Sequence, residues 1–149
     1  MKALTIRQPY SHLIAIGEKR VENRTWYAPQ ELWGQWIAIH AGKSRDLLTA
    51  GDWERHPDMP FGAIEALALL ETCLSYREIE YGKKLITYLR WVKRHEHTAG
   101  PVCWVFSQIV RLDHPIPCKG AQRLWTVPNA VIRRIEVCRK GRVYGTPTE

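Results

Sequence analysis

The sequence predicts an α+β fold, a conclusion carried by three features. Apolar residues alternate in strand fashion at Gln35–His40, Phe61–Cys73 and Val102–Leu112. Between these runs lie short segments whose apolar residues return at helical spacing. The long run Phe61–Cys73 loses its even alternation near Leu69, which suits a bulge where a strand bends around a barrel. A chain of 149 residues is long enough for one domain, 1–149, with a core that needs no cross-links.

The opening stretch, residues 4–26, reads as strand, short helix and turn. Arg7-Gln8-Pro9 stops the first strand, Tyr10, Leu13 and Ile14 recur at helical spacing, and Gly17 supplies the stop. If residues 20–25 are extended, Glu22 and Arg24 share one face, with Lys19 close by at the turn. A Glu between Lys and Arg is also what a surface ion pair of little energetic value looks like. Tyr27–Gly34 reads as a loop leading to the strand Gln35–His40. His40-Ala41-Gly42-Lys43-Ser44 then closes that strand, with Ser44 a candidate N-cap for a short helix containing Leu47, Leu48 and Trp53. His40 fits either a ligand contact at a strand end or a satisfied buried histidine.

Glu65 interrupts the otherwise apolar run Phe61–Cys73 and needs a partner, for which the cations near Lys19 are the candidates. In 76–97, Tyr81, Leu85, Tyr88, Leu89 and Val92 recur at helical spacing among Lys83, Lys84, Arg90, Lys93 and Arg94, which predicts an inserted amphipathic helix weakened by Gly82. Its basic face suits either solvent or the border of an RNA groove. In the strand Val102–Leu112, Val102, Trp104 and Phe106 face away from Cys103, Val105 and Ser107. A loop follows at Asp113–Gly120, then a short last strand at Gln122–Val127 carrying Trp125. A helix over Ala130–Val137, the basic residues Arg139, Lys140 and Arg142, and a loose tail at 143–149 complete the chain.

The net charge of +7 and pI near 9.4 favour phosphate-bearing partners. Seven Trp supply faces on which bases stack, although most belong to a core and only two or three to a ligand. The four cysteines are widely separated and His95-x-His97 is the one tight ligand pair, so no metal or cofactor is expected and these histidines read as solvated loop residues. The first residues are too short and too soon interrupted for a secretion signal, and no apolar run reaches membrane-spanning length. A reduced, cytoplasmic protein is the expectation; the sequence sets no oligomeric state.

Gly17, Lys19, Glu22 and Arg24, in the pattern G-x-K-x-x-E-x-R after RQPY and a helix, resemble the signature of the ASCH domain, a relative of the PUA RNA-binding domain. Residues 100–105, 115–120 and 124–128 resemble later strands of the same family, in family order. The resemblance implies a small, partly open mixed β-barrel of the PUA-like fold with helices at its ends, and a cleft lined by the motif. In such a cleft Lys19 and Arg24 suit phosphate or a carbonyl oxygen, Glu22 an exocyclic amine, and Trp26 or Trp125 a stacked base. Tyr10, His40, Lys43 and Glu65 are further candidates.

Binding of RNA or a nucleotide is the reading this favours. The alternatives are hydrolytic. One bacterial branch of the family removes the acetyl group of N4-acetylcytidine, and its motif resembles this one at Gly17, Lys19 and Arg24 but carries a nucleophilic Thr where this chain has Glu22. A carboxylate does not replace that hydroxyl, and Thr25 faces the wrong side of the strand. An enzyme here would use Glu22 as base on a water and Lys19 against the oxyanion, or, in a ribonuclease, Lys19 at the scissile phosphate with Tyr10 or His40 moving protons.

Overall fold

The computed structural model describes residues 1–82, 89–138 and 143–145. Its frame is a long antiparallel pair, β4 (Ala63–Ser75) and β5 (Val102–Pro117), matched from Ala63 opposite Pro117 to Ser75 opposite Val102. Around it a seven-stranded sheet curls in the order β2 (Val21–Arg24), β5, β4, β3 (Gln35–Ala41), β1 (Lys2–Ile6), β6 (Leu124–Thr126), with β7 (Val143–Tyr144) also on β5. Among the described strands only β1 and β3 run parallel. The crossover between them is made by α1 (Tyr10–Ala15), β2 and a 3-10 turn at Gln30–Leu32, the length of connection that a parallel pair demands.

Curvature comes from register shifts. On β4 they fall between Ile64 and Ala66, Leu69 and Leu70, and Leu70 and Thr72, so the bulge expected near Leu69 is present. Side-chain alternation on β5 then feeds two cores. Val102, Trp104 and Phe106 pack inside the half-barrel with Leu4, Ile39 and Leu70, while Cys103 and Val105 face Val21, Leu89, Trp91 and Val92 on the outside. A third cluster forms where α5 (Asn129–Cys138) lays Val131, Ile132 and Ile135 against Leu67, Val110 and Ile116.

Several local expectations are corrected. The predicted loop at Asp113–Gly120 is largely strand, because β5 continues to Pro117. Cys118 N donates to Gly62 O, so the alternating ladder turns the nitrogens of residues 115 and 117 away from β4, where proline costs no hydrogen bond. Where a helix was expected over 76–97, the described residues form two short helices, α3 (Tyr76–Tyr81) and α4 (Arg90–Arg94). A Ser75–Glu78 capping box starts α3, and Gly82 ends it at a point where a Cβ would lie 2.2 Å from Glu78 O. Tyr81, assigned to the apolar face, is 80% exposed, whereas Trp91 and Val92 are buried. Lys83, Lys84, Leu85 and Tyr88 lie outside the described residues, as do Arg139, Lys140 and Arg142. Helix α2 (Ala50–Arg55) is capped by Thr49 in a capping box with Asp52 rather than by Ser44. Val143 and Tyr144, expected in a loose tail, pair with Val110 and Ile109.

Among the described residues no helix is long and apolar enough to cross a membrane.

Candidate functional site

Gly17 ends α1 with φ +82°, and its missing side chain makes room for Tyr144, which a Cβ would approach to 2.6 Å. The turn it permits is closed by Lys19 N donating to Leu13 O at 2.9 Å. This places Lys19 beside β2 with its side chain directed along the strand. Lys19 is 3% exposed and Glu22 7%. Lys19 Nζ lies 2.9 Å from Glu22 Oε2 and donates to Val21 O; Arg24 Nε lies 3.0 Å from Glu22 Oε1. Glu22 and Arg24 thus share a face as the alternation predicted, and both oxygens of one carboxylate are taken by cations. Arg24 Nη2 donates to Thr5 O at 3.1 Å, which ties β2 to β1.

These groups line a cleft of about 560 Å³, which Arg7, Tyr10, Asn23 and His97 also border. Tyr10 is 39% exposed, with the Lys19 ammonium 5.5 Å from its ring centre and His97 edge-on at 6.3 Å. Asn23, overlooked in the sequence reading, faces the other way. Its Nδ2 donates to His97 O, and its Oδ1 accepts from Ala99 N and Gly100 N, so it fixes the segment that brings His97 to the cleft.

His95 and His97 are not the solvated loop residues expected. His95 Nε2 accepts from Arg20 N at 2.9 Å, so the neutral ring is the one this contact uses. Burial, then the charges of His97 and Lys19, push its pKa down to about 4, and burial followed by Lys19 also lowers that of His97. The folded value is depressed, so the unfolded chain takes up this proton first. The stabilisation is complete above about pH 6.5 and is lost as pH falls from there towards 4, by roughly 2–3 kcal/mol. Urea midpoints over that range are expected to fall less in His95→Gln, which has no proton to gain, than in the parent.

Glu65 does not meet Lys19's neighbourhood, and its predicted pairing is corrected. It accepts from Ser11 Oγ at 2.5 Å, His12 Nδ1 at 3.1 Å and Gln8 Nε2 at 3.2 Å. Gln8 in turn accepts from His12 N and donates to Pro60 O. All four side chains are buried. The carboxylate therefore anchors α1 on β4 and, through α1, sets where Tyr10 stands.

His40 is buried. Its Nε2 lies 3.0 Å from Cys118 O, which only accepts, so Nε2 carries the proton and Nδ1 accepts from Thr5 Oγ1 at 3.2 Å. Trp125 Nε1 donates to the same hydroxyl at 3.0 Å, with its ring edge-on to His40. Burial lowers the His40 pKa, in keeping with this neutral tautomer. Trp26 packs edge-on against Trp104 at 4.8 Å and carries the Arg123 guanidinium 4.6 Å from its ring centre. Neither Trp26 nor Trp125 lines the Lys19 cleft, and the exposed aromatic there is Tyr10. Lys43 and His40 instead line a second cleft, of about 620 Å³, with Lys119 and Arg123. Those last two residues were missed, since loop cations carry no spacing signal. Among the described residues no cluster of His, Cys, Asp or Glu suits a metal ion.

Residues 4–79, which include the motif, the end of β1 and all of β2 to β4, match the ASCH domain family. In an alignment of 140 positions that covers 86% of this chain, the sequence is 26% identical to human Activating signal cointegrator 1, of whose length the chain spans 22%. The fold is similar to that of the ASCH protein from Zymomonas mobilis, with a TM-score of 0.56 at 13% identity over 94% of this chain and 96% of that one. A serine-to-alanine mutant of that Zymomonas protein superposes with a TM-score of 0.53 at 14% identity, over 91% and 94% of the two chains. ASCH domains have a PUA-like fold, a fold associated with RNA binding. With the motif seated in its cleft and the match spanning half of the sequence, the chain belongs to the ASCH domain family.

Proposed function

We propose that this chain binds single-stranded RNA, taking one nucleotide into the cleft between α1 and the half-barrel. The observation that carries the reading is the triad of Lys19, Glu22 and Arg24, in which one buried carboxylate holds two cations at a cleft beside an exposed tyrosine. Lys19 and Arg24 offer donors to a phosphate or a base carbonyl, Tyr10 offers a face to the base, and Glu22 fixes the cations. The amidohydrolase alternative asks Glu22 to act as base on a water. Both of its oxygens already face cations, and binding demands no proton transfer from it.

The test is anisotropy of a labelled oligouridine titrated with the protein as salt is raised, followed by mass analysis of the RNA. Intact RNA and an affinity that falls with salt, with a logarithmic slope of about −0.7 per phosphate contacted, are expected. Shortened RNA would move the account to a ribonuclease, and no affinity at low salt would remove the reading.

A further inference from the structure

We propose that the second cleft holds the phosphate of the nucleotide next to the one in the first, so that the protein grips a strand rather than a single nucleoside; this rests on the function proposed above. The two clefts share Thr5 and Arg24, so the Arg24 guanidinium lies between them. Their chemistry differs. The first sets the carboxylates Glu22 and Glu96 beside its cations; Glu22 is held by Lys19 and Arg24, and the exposed Glu96 is an acceptor open to a base edge. The described lining of the second holds Arg24, Lys43, Lys119 and Arg123 and no carboxylate. The charged groups of this site are all donors, which is what a phosphate takes.

These cations arrive from separate segments, β2, the turn after β3 and the loop at 118–123, and the backbone is shaped to let them converge. His40 holds that loop at Cys118 O. A Cβ on Gly120 would lie 2.4 Å from His40 Cε1 and 2.8 Å from Thr5 Oγ1, so glycine lets the loop rest directly on the pair. At Gly62 a Cβ would come within 2.9 Å of Lys43 Cε, so a glycine clears the path of that lysine. Gathering like charges is unfavourable in the free protein and is relieved when an anion enters. With the clefts contiguous at Arg24, a strand whose base occupies the first can lay its backbone over the second.

The experiment compares the parent with a K119Q/R123Q double variant, both side chains being on the surface, using oligouridine and free uridine as probes. The variant is expected to bind oligouridine roughly tenfold more weakly, with a salt slope shallower by about 0.7 for each lost contact, and to bind uridine as the parent does. Unchanged oligouridine affinity and slope in the variant would overturn the proposal, as would an equal loss for both probes. If the parent binds uridine and oligouridine equally well, the strand proposal fails and the nucleotide reading stands; if it binds neither, both fail.

Discussion

Lys19→Met is expected to abolish RNA binding and to lower stability by about 3 kcal/mol. Two effects combine. Methionine fills much of the lysine's volume, so the loss is one of charge and hydrogen bonds: Glu22, 7% exposed, is left with Arg24 as its remaining cation, and Val21 O loses its donor. Removing one member of a buried ion pair typically costs ~3–5 kcal/mol, and the surviving Arg24 contact places this case at the lower end. Binding fails separately, because the ammonium at the cleft and over Tyr10 is gone. The companion Glu22→Gln separates the two effects. It keeps both cations and is expected to retain phosphate affinity while losing stability. A Lys19→Met protein that binds RNA as the parent does would show that the motif is a structural ion pair alone, whereas loss of binding in Glu22→Gln would make the carboxylate a ligand contact.

The second large effect is expected at Glu65→Ala, a drop in Tm of about 10 °C. The substitution strands Ser11 Oγ, His12 Nδ1 and one proton of Gln8 Nε2 in an interior closed to water, and leaves a cavity under α1. Breaking such a network costs ~3–4 kcal/mol, and for a chain of this length each kcal/mol shifts Tm by about 3 °C. Glu65→Gln is expected to fall between, since its carbonyl oxygen still accepts while its amide meets a donor. A Glu65→Ala protein melting within about 3 °C of the parent would mean that α1 is held by its apolar contacts, Ile14 and Ala15, alone.

How far the sequence could be read follows from what kind of information each feature carries. Strand alternation is local, so the paired faces of Val102–Phe106 and the adjacency of Glu22 and Arg24 were legible, as was the bulge near Leu69 where alternation broke. Partners brought together by the fold were not. Glu65 signalled only that it needed a partner; that His12, Ser11 and Gln8 supply it depends on how α1 lies across β4, which no spacing encodes. His95 and His97 looked like loop residues because the contacts that bury them come from Arg20 and Asn23, more than 70 residues earlier in the chain. The prolines at 115 and 117 read as a loop because which way a ladder nitrogen points is settled only by register. Trp26 and Trp125 were natural stacking candidates by type, yet Trp104 and Arg123 cover one and the Thr5–His40 pair engages the other.

The central claim is that RNA enters at the Lys19–Glu22–Arg24 cleft. An amide-resolved NMR titration of the ¹⁵N-labelled protein with oligouridine tests it most directly. The account predicts that shifts concentrate at residues 5–10, 19–24 and 95–99, which border the cleft, and spread to 118–123 as the strand extends. Shifts confined to the exposed faces of α4 and α5, with the residues around Lys19 unmoved, would contradict it and leave general basic charge as the whole of the attraction.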